Sequence, residues 1–308
     1  MRDIASVINS LGGMARRPRL LRAGIRDREL GAAVRSREIV RARGGWYTTM
    51  AESDPRVRAV RVGGRLTGVS GLDPDAWVIG DHPLHVTVKL NAARLRDQWD
   101  RRRHPAPRAS KGVVVHWDDG ESMSRGTMTT VGLADALYRV MLDESFEQGI
   151  ALLDWALHTA RLDRIDFERL VLRLPSRFRQ LGQWVDPLCE SLPESLARTR
   201  LRLAGHSVRS QVPTGLTERI DLLIDECVAL EVDGKEFHRD RFAADRQKDM
   251  TITIDGFHSL RPTANMVFHE WSRVLLGIRS ALRSHGIVAS AKIQEAPGRR
   301  RARVPIRR

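Results

Sequence analysis

At 308 residues the chain has room for two domains of ordinary size and a small third module. Hydrophobic residues form 42% of it, enough for packed cores, which excludes a wholly disordered chain. The net charge of +14 sits at the ends: residues 1–47 carry eleven arginines against four acids, residues 299–308 carry six arginines and no acid, and the 251 residues between them sum to +1. Two Arg-rich ends around a near-neutral body point to a polyanionic partner, nucleic acid before membrane, although a GC-rich genome also yields much Arg and Ala with little Lys. Cys189 and Cys227 stand far apart with no Cys or His at metal spacing, which reads as reduced, buried thiols. No apolar run approaches the ~18 residues of a membrane span and no signal peptide opens the chain, so a cytoplasmic protein without a membrane partner is expected.

In chain order, Ile4, Val7, Ile8 and Leu11 recur at helical spacing before Gly12-Gly13 breaks the pattern. Arg16 to Ala23 predicts a second short helix closed by Gly24. Asp27 opens a third, with Leu30 and Val34 inward and Arg28, Arg35 and Arg37 on its basic edge. Ile39 to Arg43 then alternates apolar with basic, and Gly44-Gly45 turns the chain into Trp46-Tyr47. Three helices and a β-ribbon make the plan of a winged helix-turn-helix over residues 1–50. In that plan the third helix enters the major groove of double-stranded DNA and the ribbon, with Arg41 and Arg43, touches backbone phosphates. A plain three-helix packing module with solvated arginines is the competing reading.

This pattern resembles the N-terminal domain of AbiEi-type antitoxins and transcriptional regulators. The wing reads Ile39-Val40-Arg41-Ala42-Arg43-Gly44-Gly45-Trp46-Tyr47, with one Trp inserted between the Gly and Tyr of the family pattern. The likeness covers about a sixth of the chain and implies a transcriptional or antitoxin role with a cognate toxin protein as partner.

Residues 51–186 read as an α+β linker domain. His85 to Leu90 and Gly112 to Trp117 are of strand type, and Asn91 to Arg103 is a polar surface loop or exposed helix. Val131 to Met141, Glu147 to His158 and Ile165 to Leu174 carry helical apolar stripes. His116, Asp118 and Asp119 before Gly120 read as a turn with solvated acids ahead of a metal site.

The chemistry gathers in residues 187–286. Ser191-Leu192-Pro193-Glu194 has capping-box spacing and opens a helix to Gly205. Extended segments at 207–212, 219–224 and 227–233 follow, then a helix through 242–249, a strand at 257–261 and a long amphipathic helix at 267–283. Glu231 and Asp233 are two apart and leave one face of their strand. A three-residue loop centred on Glu226 sets Asp221 across from Glu231, whereas a two-residue loop would pair it with Leu230 and turn it away. In the first register the carboxylates converge, and like charges that close call for a cation, with oxygen ligands favouring Mg²⁺ or Mn²⁺. Glu194, one layer away, could hold the ion's water shell or a second ion. The competing reading makes Asp221 and Glu231 ordinary edge charges, against which stands the cost of an unpaired carboxylate in an apolar strand.

The segment resembles the PD-(D/E)XK nuclease superfamily, and within it the domain of unknown function 559, related to very-short-patch repair endonucleases. The matching string is Ser191-x-x-Glu194, Arg219-Ile220-Asp221, Glu231-Val232-Asp233-Gly234-x-x-x-His238, Asp245-Arg246-x-x-Asp249, Gly256 and Leu260-Arg261. The resemblance implies a restriction-endonuclease-like α/β core with Asp221, Glu231 and Asp233 in the catalytic set. The superfamily's lysine would stand at position 233, where this chain has Asp, so Lys235 and His238 are the candidates for its role, His238 preferred because a neutral imidazole is a base at physiological pH. Arg246 would grip phosphate.

The expectation is thus an α+β multidomain protein: winged helix, α+β middle, nuclease-like core and, at 287–308, a basic phosphate-binding tail. Its expected activity is Mg²⁺-dependent hydrolysis of DNA. An AbiEi-like repressor with an inert nuclease fold is the alternative, and a homodimer is allowed by either.

Overall fold

The computed structural model describes residues 3–104, 112–118, 124–215, 218–233 and 242–286. They form a mixed α/β structure with three small sheets. The chain divides into two units, one of residues 1–74 and 80–140, the other of 75–79 and the chain from Met141 onward. No helix among the described residues is long and apolar enough to cross a membrane.

The first unit begins with α1 (Ile4–Ser10), whose N-terminus is capped by Asp3 accepting from Ser6 N at 3.0 Å. Gly12 and Gly13, both at positive φ, turn the chain into β1 (Met14–Arg16), a short strand that the periodicity of the sequence did not announce. Helices α2 (Arg17–Arg22) and α3 (Asp27–Arg35) follow, then β2 (Val40–Arg43) and β3 (Trp46–Thr48). The strands form an antiparallel sheet in the order β1-β3-β2, with Ala42 bulged between Arg41 and Arg43. Ile8, Leu20, Leu30, Ile39 and Tyr47 are buried together under these elements.

Next come α4 (Pro55–Val62), capped by Asp54, then β4 (Arg65–Leu66), β5 (Leu84–Lys89) and β6 (Val113–Asp118). β4 pairs antiparallel and β6 parallel to β5, and residues 91–104 between them contain no regular element. His116 does not sit in a solvated turn. It is 8% exposed, and its Nε2 lies 3.2 Å from Nδ1 of His85 on the neighbouring strand. Burial pushes both imidazoles down, His85 to about 4 and His116 to about 3. Asp119 lies outside the described residues. α5 (Leu133–Asp143) follows.

In the second unit α6 (Phe146–His158) and α7 (Arg164–Arg173) lead to α8 (Leu192–Leu203). α6 and α8 are locked by Asp154, fully buried, whose carboxylate accepts from Arg198 at 2.8 Å and from Ser195 at 2.6 Å. After them come β7 (Val208–Thr214), β8 (Glu218–Ile224), β9 (Val228–Leu230), α9 (Phe242–Ile254), β10 (His258–Leu260), α10 (Ala264–His269) and α11 (Trp271–Ser284). The sheet order is β10-β9-β8-β7, with β10 parallel to β9 and the other pairs antiparallel. The long helix expected at 267–283 is two helices, interrupted at Glu270, whose ψ of 32° and φ of −123° leave the helical region.

Strand periodicity divides the residues of this sheet between two layers. Leu222, Ile224, Val228 and Leu230 pack against Leu196 and Leu201 of α8, Val267 of α10 and Ile278 of α11. On the other face Leu223 and Ala229, directly paired, meet Ile252 of α9. That second face leads, two residues further along each strand, to the acids.

Candidate functional site

The turn between β8 and β9 is Asp225-Glu226-Cys227, closed by the pair Ile224↔Val228, and Asp225 and Glu226 take left-handed φ of 47° and 57°. It therefore has the odd length. The pairs Leu223↔Ala229 and Leu222↔Leu230 set the register that carries Asp221 opposite Glu231. Past Leu222↔Leu230 side chains take over from backbone carbonyls as acceptors. Asp221 N donates to Glu231 Oε1 at 3.1 Å, and Val232 N donates to Asp221 Oδ2 at 2.9 Å. Each acid is fixed by the other's strand.

Glu231 is 2% exposed. Burial and then the Asp221 charge raise its carboxyl, and burial with the Glu194 charge pushes Asp221 up to about 6. Glu194 itself is buried at the start of α8, its carboxylate accepting from Ser191 Oγ at 2.6 Å, Glu190 N at 3.0 Å and Gln211 Nε2 at 3.4 Å. Burial outweighs those bonds and raises its carboxyl too. Gln211 reaches it from β7 with a left-handed φ of 53°, at the position that faces Asp221 between the pairs Ser210↔Leu222 and Val212↔Ile220.

Two cations stand here, of which Lys248 was not singled out from the sequence and Arg261 stood in the matching string without a role. Lys248 of α9 donates through Nζ to Glu231 Oε2, and the same Nζ is 3.9 Å from Asp221 Oδ1. Its place follows from helix geometry: Ile252, four residues on, packs on Leu223 and Ala229, so Lys248 stands one turn away on the same side, over the next residues of those strands. That i, i+4 relation to an apolar anchor was the available signal. The second cation is Arg261, just beyond β10. Its guanidinium lies 3.3 Å from Asp233 and from Asp249 and 3.8 Å from Glu231. Asp233 thus faces Arg261, while its backbone N–H donates to Pro262 O.

Lys235 and His238 lie outside the described residues, as does the basic tail from 287. Arg246 is on the exposed side of α9.

Oxygen donors from Asp221 and Glu231, with Glu194 near, suit a hard divalent cation in chemical type, and the raised carboxyls are those that a cation would hold ionised. Lys248 supplies part of that charge. The Asp221–Glu231 edge thus offers oxygen ligands of the type a hard cation takes, at a place where the Lys248 ammonium now sits.

In the first unit, Arg28 and Arg35 of α3 are exposed seven residues apart on the side opposite Leu30 and Ala33, and Arg37 and Arg41 are exposed beyond them. Arg43 is placed differently. Its guanidinium donates to the carbonyls of Arg61 and Val62 at the end of α4, at 2.8 and 2.9 Å, and to Arg94 O at 2.8 Å. It is committed to holding α4 and the 94 loop, where its Nη groups satisfy helix-end carbonyls, and it does not project from the ribbon. Compared with models of known protein families and with curated proteins, the sequence matches none.

Proposed function

We propose that the protein is a DNA-binding, divalent-cation-dependent endonuclease whose reactive edge is formed by Asp221, Glu231 and Lys248. The observation that carries this reading is the carboxylates of Glu231, buried, and Asp221, half-buried, each accepting a backbone N–H of the other's strand, with an ammonium between them. It accords with the resemblance to the PD-(D/E)XK nucleases, and it gives the lysine that position 233 lacks an owner on α9.

Asp221 and Glu231 would hold Mg²⁺ or Mn²⁺, with Glu194 behind them; when bound, such an ion supplies Lewis-acid polarisation of a phosphodiester. Lys248, released from Glu231, then presents its ammonium to the charge that grows on the phosphoryl oxygens. Arg261 keeps Asp233 and Asp249 neutralised, so that they do not compete for the cation. The basic face of Arg28, Arg35, Arg37 and Arg41 supplies contacts to duplex DNA in the manner of a winged helix, the fold reading that its helix-and-ribbon order supports.

Purified protein should nick or cut plasmid with Mg²⁺ or Mn²⁺, and Asp221→Asn or Glu231→Gln should abolish cutting while leaving gel-shift affinity for the same DNA intact. No cation-dependent cutting, or equal cutting by wild type and both variants, refutes the assignment.

One observation favours a second reading, an antitoxin-like repressor with an inert domain: the Lys248 ammonium pairs with Glu231 at the edge where a cation would bind. On that reading the protein shifts its own promoter with an affinity that neither chelator nor Asp221→Ala alters, and it cuts nothing. A cognate toxin or a second copy of the chain would then be its protein partner.

A further inference from the structure

The first unit contains a cavity of about 660 Å³, within the range of about 300–1,000 Å³ usual for small-ligand sites. Its wall carries Arg37, Arg41, Arg61, Arg101 and Arg102 together with Trp99. Two acids also line it, and both are engaged: Glu52 pairs with Arg61, and Asp100 lies 3.3 Å from Arg103 and accepts from Arg102 N at 2.8 Å. Among the described residues no carboxylate stands within 4.0 Å of the guanidiniums of Arg37, Arg41, Arg101 or Arg102. Burial and the neighbouring charges of Arg41, Arg102 and Arg61 lower the Arg101 guanidinium, so cations here crowd one another. Arg61 is 3% exposed, and its Nε has no hydrogen-bond partner among the described residues.

Like charges gathered in one concavity attract an anion. The aromatic member narrows the choice of anion. Trp99 is 55% exposed, unusual for so large an apolar ring, yet it is held in place. Arg58, which is not part of the cavity wall, stacks on the ring at 4.2 Å and is itself fixed by its Nε donating to Gln98 Oε1 at 3.0 Å. Trp99 O accepts from Arg61. An oriented, exposed indole beside unpaired guanidiniums presents a planar stacking surface next to a phosphate-binding one.

We propose that this cavity binds a nucleotide, with its phosphates among Arg41, Arg101 and Arg102 and its base against Trp99. Neither the carboxylate site nor its proposed hydrolysis enters the argument. The same chemistry is offered by a free nucleotide and by one nucleotide of a single strand, and the test separates them.

The full chain, with chelator present, is titrated calorimetrically with ATP, with a short oligothymidylate and with inorganic triphosphate. Wild type should bind ATP if the ligand is a free nucleotide, or the oligothymidylate alone if it is a strand. Replacing Arg101 and Arg102 together by Gln should weaken that binding at least ten-fold, as should Arg41→Gln, which removes an exposed guanidinium shared with the proposed duplex-contact face. Trp99→Leu should weaken the nucleotide probe several-fold and leave inorganic triphosphate unchanged. The Asp221→Asn variant should bind like wild type, which keeps this result separate from any failure of the hydrolase reading. The proposal is overturned if neither nucleotide probe binds, if the Gln variants bind as wild type does, or if Trp99→Leu leaves nucleotide affinity unaltered.

Discussion

Replacing Lys248 by Met keeps the aliphatic stem over the sheet and removes the ammonium that serves Glu231 and Asp221. Breaking one partner out of a buried ion pair costs about 3–5 kcal/mol; Lys248 retains 19% side-chain exposure, which places the loss at the low end, about 3 kcal/mol near neutral pH. The loss depends on pH in a definite sense. A carboxyl whose folded value is raised favours the folded state while it is protonated, and that advantage disappears as pH climbs from the ordinary value of 3.8 through the folded value of about 6. For Asp221 the difference amounts to about 3 kcal/mol across that window in the wild type. Without Lys248 the window moves upward, because a proton must now do what the ammonium did. Urea unfolding of both proteins at about pH 5 and pH 8 should show a gap of about 1 kcal/mol at the acid end and about 3 kcal/mol at the other. Mn²⁺ should narrow the gap at pH 8 by stabilising the variant more than the wild type, where the ammonium competes for the same oxygens. An equal gap at both pH values would mean that the lysine contributes only packing. If Mn²⁺ stabilised neither protein, the cation-binding argument would fail as well.

Arg198→Met should destabilise by about 3–5 kcal/mol in chemical unfolding, because it leaves the Asp154 carboxylate, fully buried, with Ser195 and a backbone N–H for company; a loss below 1 kcal/mol would show that the pair is dispensable. The His85–His116 contact predicts acid sensitivity. Both imidazoles are lowered on folding, so their contribution is complete above about 6.5 and is lost as pH falls from there toward about 4 and about 3. At pH 5 each should cost about 2 kcal/mol, and the His85→Phe, His116→Leu double variant should show a flatter melting temperature between pH 6.5 and 5. An unchanged slope would assign the acid loss to other groups.

The parts of this molecule that a sequence displays are those set by local period. Apolar alternation located β5, β6 and β8, and helical stripes located α5, α6 and α7 to within a few residues of their ends. The acid pair was legible because strand parity and loop length together fix which residues face each other. The lysine was not, since nothing in the string Gln247-Lys248-Asp249 tells which turn of α9 lies over which pair of β residues; that follows only once Ile252 has found Leu223 and Ala229. β1 escaped notice because three residues hold no period, and Arg43 read as a ribbon cation because its partners, the carbonyls at the end of α4, are 18 and more residues away.

The mutual bonding of Asp221 and Glu231 has a consequence for how such a site can decay. The carboxylate oxygens of the proposed site are also the acceptors that finish the seam between β8 and β9, so substitution to alanine would remove the seam along with the proposed ligands. A lineage with no use for hydrolysis would still be selected to keep both acids for the sake of its fold. Their presence in a sequence marks the architecture first, and turnover only when a cation can displace the lysine.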